Sequence, residues 1–503
     1  MSDLLQLADD ATAAASLAVE SSMATIDNES ICNDHNDVAD NEANDDNDQI
    51  TSPASLRPIG VGLFGFSPFA ACALRQICLN NHSISKVNNN INNNTNNNQR
   101  RRPFRLVGCW TSDESERAAL EGFLKRECIL PQSSLLLSSS SSSSSDGTGI
   151  EHQLDEDNFT VVVGGDPAAL ASRTEVSLLL LCCRGERVQI GLAKLAKETG
   201  SLAVRLWPPP PPPYRVLDTV AVGCSYRYLP SVQCMRSRLS TGLIGQLQVI
   251  NINLRYPKLI GERYDWTCDP DMGGGVLAYY GAIAVELVHY LAPAAAAASL
   301  AVRAPLTSYE VISASGHLLT CQSRSSQIDE IRRIGVDQVA SFDLQLAGGC
   351  WVHVWLDSLF NGYSHSIELI GENGRLTLSD FVLTHVDYLT DSSTAEPHTL
   401  HSDPITESEQ GILQTIAHSA DMPMKQFASP ELIKSATGLI DSIARNDTVV
   451  VDYPSGSYWT WLQQTLAAIR CSSQLNRWVS IAECRLGPGS DKDGIACSKF
   501  PTT

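Results

Sequence analysis

The sequence predicts an α/β protein in two parts. A doubly wound parallel sheet comes first, followed by an α/β domain built on a large open, mostly antiparallel sheet. Three observations carry this reading. Between residues 58 and 207 short apolar runs alternate with helix-like stretches, and strands separated by helices make a parallel sheet. Some of those runs are continuous, as in Val176-Ser-Leu-Leu-Leu-Leu181, which suits strands covered on both faces. Beyond residue 217 long alternating segments with hairpin signals take over, as in antiparallel strands with one covered face.

Taken in order, Ile59–Phe64 reads as a buried strand, followed by a small-residue turn and a helix over Phe69–Leu79. Arg105–Trp110 is the next strand, with a helix over Ser115–Arg126 whose Ser112-x-x-Ser115 start is a cap region. Further strands fall at Phe159–Val163, Val176–Cys182 and Ser201–Leu206, with helices at Pro167–Ser172 and Glu186–Thr199. In the second part Leu247–Asn253, Phe342–Leu346 and Trp351–Trp355 alternate, and Ala347-Gly348-Gly349 joins the last two. Ile367–Ile370 and Arg375–Leu378 flank Gly371–Gly374, a second hairpin signal. Helices over Val276–Leu291, Ser429–Arg445 and Tyr458–Arg470 supply the cover.

The remaining stretches read as additions. Residues 1–57 form an acidic, aromatic-free tail of disordered composition. Residues 80–98 hold eleven Asn, Ser138–Ser145 is unbroken serine, Pro208–Pro213 is unbroken proline, and Ala292–Ala298 is alanine-rich. The domains are then 58–217, with low-complexity inserts near 80–103 and 131–157, and 218–490, with a tail at 491–503. The formal charge of −20 is mostly the first tail, because residues 1–56 hold 13 acids and no Lys or Arg; subtracting leaves −7. That balance argues against a nucleic-acid partner. The apolar stretch Val276–Ala301 carries Glu286 and His289, costly in lipid, so no membrane span is expected. Asp9 and Asp10 break any leader-like apolar run, which points to the cytoplasm. The fifteen cysteines include no CxxC and read mostly as reduced, buried small hydrophobes.

A literal G-x-G-x-x-G falls on Gly60, Gly62 and Gly65. The first two lie inside the strand, whereas a dinucleotide turn needs its first glycine after it. The properly placed run is Gly65-Phe66-Ser67-Pro68-Phe69-Ala70. Here Gly65 makes the turn, Ser67 stands where a glycine would let phosphate approach, and Ala70 allows helix–strand packing. No acid stands at the next strand tip, Cys109-Trp110-Thr111-Ser112. Thr111 and Ser112 are left to hydrogen-bond a ribose or a 2′-phosphate, no Arg stands beside them, and NAD versus NADP stays open.

The stretch Tyr264-Asp-Trp266-Thr-Cys268-Asp269 through Met272-Gly273-Gly274-Gly275-Val-Leu277, together with Ile59–Ser67, resembles the Gfo/Idh/MocA oxidoreductases, and within them the animal glucose–fructose oxidoreductase domain-containing proteins. Agreements continue in order at Tyr226-Arg227-Tyr-Leu-Pro230, Gly242–Leu247, Gly371–Leu376 and Ser472-Ser-Gln474 with Trp478. The resemblance implies a Rossmann-type NAD(P)-binding domain, a second α/β domain carrying the substrate face, and a homo-oligomer contact through the C-terminal sheet. It implies oxidation or reduction of a sugar-like substrate with NAD or NADP, using a Lys from a Glu-Lys-Pro motif and an Asp and a His after the triple glycine. The Lys region falls at Val204-Arg205-Leu206-Trp207, and the Asp and His positions fall on Tyr279 and Ile283, with a later Asp position on Glu286. Arg205 remains protonated and orients an oxygen without shuttling a proton; Tyr279 is either an acid or packing.

The cofactor set read this way is Gly65, Phe66, Ser67, Ala70, Thr111, Ser112 and Cys183, with Arg205 and Tyr279 as the catalytic candidates. Two functions stay open: an NAD(P)-dependent oxidoreductase, and a non-catalytic nucleotide-binding or scaffold protein, a pseudoenzyme linked by resemblance to extracellular matrix organisation and hence to an extracellular location. His398-Thr-Leu-His401 reads as loop rather than a metal site. Trp351, His353 and Trp355 share one strand face, read as helix-covered or as an oligomer contact, with a sugar-stacking surface as the rival.

Overall fold

The computed structural model describes residues 58–89, 103–112, 114–126, 136–137, 160–163, 166–183, 186–205, 220–222, 226–256, 266–268, 274–298, 310–320, 324–325, 332–333, 335–359, 362–389, 396–418, 428–445 and 456–484. The acidic tail, the Asn tract beyond residue 89, the serine and proline runs, Asp113, Gly273 and the C-terminal tail lie outside the described residues.

The first lobe contains β1 (Ile59–Phe64), α1 (Pro68–Asn89), β2 (Phe104–Thr111), α2 (Glu114–Arg126), β3 (Leu136–Leu137), β4 (Thr160–Val163), α3 (Pro167–Ala171), β5 (Leu178–Leu181), α4 (Glu186–Thr199), β6 (Leu202–Arg205) and β7 (Val220–Val222). The strands form one sheet in the order β3-β4-β2-β1-β5-β6-β7, parallel throughout. Every residue of β1 and of β5 is buried, as expected for central strands covered on both faces. Gly60 and Gly62 lie inside β1, and a Cβ on Gly60 would stand 1.6 Å from the Glu175 carbonyl oxygen. That glycine serves strand packing and not a phosphate.

Three expectations change here. Helix α1 runs ten residues past Leu79 to Asn89, so the insert begins inside a helix. Asn81 explains part of this, because its side chain donates to the Phe104 carbonyl at 2.7 Å and accepts from the Phe104 amide at 2.9 Å. Leu136–Leu137, placed in an insert, forms an edge strand beside β4. Strand β7 pairs with β6, so the first lobe extends beyond the expected boundary at 217.

The second lobe contains α5 (Pro230–Ser240), β8 (Leu247–Arg255), α6 (Ala282–Ala298), β9 (Val311–Leu319), a short β10–β11 ribbon (Arg324–Ser325, Arg332–Arg333), β12 (Val339–Leu346), β13 (Trp351–Asp357), β14 (Ser364–Gly371), β15 (Gly374–Ser379), β16 (Val382–Asp387), β17 (His398–Ser402), α7 (Glu407–His418), α8 (Pro430–Arg445), α9 (Gly456–Leu475) and β18 (Val479–Ser480). Nine strands form one sheet, ordered β17-β16-β15-β14-β8-β13-β12-β9-β18. The β8–β13 pair is parallel and its other pairs are antiparallel. Alternation is strict in β13, whose Val352, Val354 and Leu356 are buried while Trp351, His353 and Trp355 are exposed.

That exposure corrects the helix-covered reading of the tryptophan face: Trp351 is 42% and Trp355 37% exposed. The alanine-rich patch is the end of α6, where Ala292, Ala294 and Ala295 are buried, rather than an addition. His398 and His401 lie on β17, paired with β16, and not in a loop. No described helix is long and apolar enough to cross a membrane. Glu286 is instead held in a buried ion pair with Arg227, whose Nε donates to Glu286 Oε1 at 2.6 Å.

Candidate functional site

The site begins where β1 ends. Gly65 has φ +83°, a left-handed conformation that glycine takes without steric cost. Its amide donates to the Trp110 carbonyl at 2.7 Å, and its carbonyl accepts from the Cys182 thiol at 3.3 Å. A Cβ at this position would meet Cys183 N at 2.6 Å and Cys183 Cα at 2.8 Å. The turn is thus wedged between the ends of β2 and β5, at the carboxyl edge of the sheet where open α/β folds place their ligands.

The Ser67 side chain turns into the protein. It is 1% exposed, and its Oγ accepts from the Ala70 amide at 3.2 Å, which makes it the N-cap of α1. Ala70 is fully buried, in keeping with helix–strand packing, and Phe66 packs on Phe123 with ring centroids 5.7 Å apart. Pro68 has no amide hydrogen, and the Phe66 and Ala70 amides are taken by Glu116 and by Ser67 Oγ.

An acid missing from the strand tip is supplied by the next helix. Glu116, in the first turn of α2, accepts from the Phe66 amide through Oε1 at 2.7 Å. Its Oε2 accepts from the Ser112 amide at 2.9 Å and the Ser112 hydroxyl at 3.0 Å. One carboxylate thereby ties the glycine turn to the β2 tip. The only sequence signal is a glutamate in the first helical turn, as in a capping box. Thr111 is fully buried and its hydroxyl has no partner, which leaves Ser112 as the exposed hydroxyl of the tip.

Cys183 and Arg205 complete this edge. Burial pushes the Cys183 thiol up to about 12, with the Glu116 charge acting in the same direction and Arg205 opposing it. Arg205 ends β6 in register with Leu181 and Val222 and is 8% exposed. The residues after it lie outside the described ones.

Tyr279 lies in a second feature, a cleft between α1 and the second lobe. Phe69, Tyr226, Tyr256, Tyr279, Tyr280 and Glu431 all line it. Gly438 brings two of its walls together: a Cβ there would stand 1.8 Å from the Tyr228 carbonyl oxygen, so the 226–228 turn lies directly on α8. Residues 277–281 form a π turn ahead of α6. Successive side chains of an ordinary helix diverge by about 100°, whereas this wider turn lets both Tyr279 and Tyr280 face the cleft. Tyr256 stacks on Tyr280 with centroids 3.8 Å apart. Burial raises the Tyr226 and Tyr280 hydroxyls well above the ordinary phenol value; for Tyr226 the Glu431 charge is the next cause, and for Tyr280 it is Tyr279.

Comparison with known proteins accounts for the two-lobed plan. Residues 232–377 match the GFO/IDH/MocA C-terminal domain. The second lobe is thus similar to the C-terminal domain of the Gfo/Idh/MocA family. It is 28% identical over 159 residues to glucose-fructose oxidoreductase domain-containing protein 1 of Xenopus tropicalis, a match covering 31% of this chain and 37% of the relative. It is 25% identical over 272 residues to glucose-fructose oxidoreductase domain-containing protein 2 of Xenopus laevis, covering 52% and 64%. The matched part thus spans about one third to two thirds of these relatives' own lengths. Among solved structures, a levoglucosan dehydrogenase in complex with NADH and L-sorbose superposes with a TM-score of 0.56 at 12% identity, covering 85% of this chain and 99% of that one. A myo-inositol dehydrogenase from Corynebacterium glutamicum gives 0.51 at 13% identity, covering 84% and 98%. These two establish the shared fold.

Within the Gfo/Idh/MocA frame, the positions expected to carry Asp and His fall on Tyr279 and Ile283. Both line the cleft. Glu286 does not reach it and is committed to Arg227. Sequence reasoning passed over Glu116, Glu431 and His365: Glu116 reaches the glycine turn across 50 positions, and Glu431 meets His365 across 66.

Proposed function

We propose that this protein is an NAD-dependent oxidoreductase acting on a secondary hydroxyl of a sugar-like polyol. The observation that carries the cofactor part is Glu116 at the β2 tip beside Ser112. A carboxylate at this tip accepts from ribose hydroxyls and repels a 2′-phosphate, which favours NAD over NADP. The start of α1, directly after the glycine turn, suits a pyrophosphate. When bound, the cofactor accepts or delivers hydride; the chain's own residues hold it and manage the substrate's proton. NADH-bound and sugar-bound dehydrogenases among the fold relatives support the reading.

Titration of the full chain with NADH and NADPH, read by nicotinamide fluorescence, tests it. NADH should bind several-fold more tightly than NADPH, and Glu116→Ala should narrow that gap. No binding of either at millimolar concentration would sink the reading.

Ile283 and Tyr279 at the expected His and Asp positions favour a second reading, in which the cofactor is held without turnover. Binding without oxidation of any polyol would support it. For assembly, we infer a homo-oligomer through the outer face of the nine-stranded sheet, where Trp351, Trp355 and Trp478 are all more than one-third exposed. Light scattering of the purified chain tests this, and a monomer at micromolar concentration counts against it.

A further inference from the structure

Glu431 stands in the first turn of α8, 3% exposed. Its Oε1 is hydrogen-bonded to His365 Nδ1 at 3.0 Å, and His365 is itself 1% exposed. The other ring nitrogen, Nε2, accepts from the Phe381 amide at 3.4 Å. Since an amide only donates, the network assigns the ring proton to Nδ1 and makes His365 the donor to the carboxylate. The second oxygen, Glu431 Oε2, is buried without a partner, as are the Tyr226 and Tyr256 hydroxyls. A buried carboxylate oxygen left unsatisfied is costly, and a native protein that keeps one has a reason. All three residues line the cleft. About 20 Å³ of open room remains there, enough for a water or one hydroxyl group.

The cleft lies on the cofactor side of the lobe contact. Phe69, at the start of α1, shares it with Glu431 and Ser435, at the start of α8. Further along, Gln76 and Asn80 of α1 donate to Asp441 of α8 at 3.2 Å and 3.1 Å. Residue numbers rise together along both helices, so α1 and α8 run parallel. Their N-termini point the same way, and that of α1 follows the glycine turn directly.

Oxidation of an alcohol needs an acceptor for the hydroxyl proton. Arg205 remains protonated, Ile283 has no polar atom, and burial keeps the Tyr226 and Tyr280 phenols protonated. Resting on the oxidoreductase reading, we infer that Glu431 is the general base of this protein, its Oε2 taking the hydroxyl proton of the substrate. In that step the C–H bond breaks and its electron pair passes as hydride to the nicotinamide ring of NAD+. The O–H bond breaks, its pair becomes the new C=O bond, and the proton ends on Oε2. The products are a ketone, NADH and the protonated Glu431, which returns its proton to solvent. The Tyr226 and Tyr256 hydroxyls donate to substrate oxygens, and His365 is a positioning residue that holds Oε1.

The test uses the full chain with NAD+ and myo-inositol, sorbitol and levoglucosan, read by NADH absorbance. Glu431→Gln keeps the size and the acceptor facing His365, and should leave NADH affinity within about twofold while lowering kcat about a hundredfold or more at unchanged KM. His365→Asn, which retains a side-chain donor, should keep far more kcat than His365→Phe. Wild-type turnover by Glu431→Gln overturns the inference. A wild type that binds NADH yet oxidises none of the three also overturns it and leaves the cofactor reading standing. A wild type that binds no NADH overturns both.

Discussion

Gly65→Ala measures how strongly the turn depends on its glycine. Two costs add. At φ +83° an L-residue is strained by about 1–2 kcal/mol. The new methyl would also stand 2.6–2.9 Å from backbone atoms of Cys182 and Cys183. These belong to the end of a central strand and cannot swing aside as a flexible side chain does, so overpacking adds about 1–3 kcal/mol. The sum is about 2–5 kcal/mol. Gly200 provides an internal control: its φ is +71° and no atom lies within 4 Å of its would-be Cβ, so Gly200→Ala carries the backbone cost alone, about 1–2 kcal/mol. Thermal unfolding followed by circular dichroism reads both. For a lobe of this size each kcal/mol lowers the midpoint by about 2–4 °C, so Gly65→Ala should lose about 10 °C and Gly200→Ala less than half of that. Equal losses in the two variants would refute the steric part of the argument, and a Gly65→Ala midpoint within about 2 °C of wild type would refute the whole.

Three further outcomes are expected. Glu286→Gln leaves the Arg227 charge, 4% exposed, without its buried partner, which costs about 3–5 kcal/mol; a loss below about 1 kcal/mol in urea unfolding would show that the pair is dispensable. Burial lowers the His289 pKa, with Glu286 opposing and Arg227 reinforcing the shift, and burial lowers that of His385 in the same sense. The unfolded chain then binds more protons below pH 6.5, so their contribution is present above 6.5 and is lost as pH falls toward the lowered folded values. The midpoint should drop between pH 7 and pH 5, and His289→Gln should flatten that slope; an unchanged slope contradicts the assignment. Burial holds the Cys182 and Cys183 thiols far above their ordinary value, so both should resist iodoacetamide in the native chain and react once unfolded. Mass spectrometry finding native modification at either would count against the buried turn.

The strands were legible because their burial is written in local composition. Leu178–Leu181 is four leucines, and Trp351–Asp357 alternates without a break. Helix ends were less legible. Asn81 extends α1 through a bond to Phe104, a residue 23 positions away, and an Asn-rich composition gives no hint of that partner. The decoy glycines were recognisable, since Gly60 and Gly62 precede the end of their own strand. At Ser67 the sequence shows only the place after a turn glycine, and the Ala70 amide at 3.2 Å shows that its hydroxyl caps the helix. His398 and His401 were taken for loop because Pro and Asp flank them, while the β16 ladder fixes them as strand.

The sequence by itself determined the two sheets and the turn at Gly65, because each of these is set by residues within one element. Tertiary structure decided which carboxylates stand at the turn and in the cleft. Glu116 reaches the turn from the following helix, and Glu431 meets His365 across 66 positions. Such pairs exist only when packing brings separate elements to within hydrogen-bond length, and a buried carboxylate oxygen without a partner has no local signature in the chain.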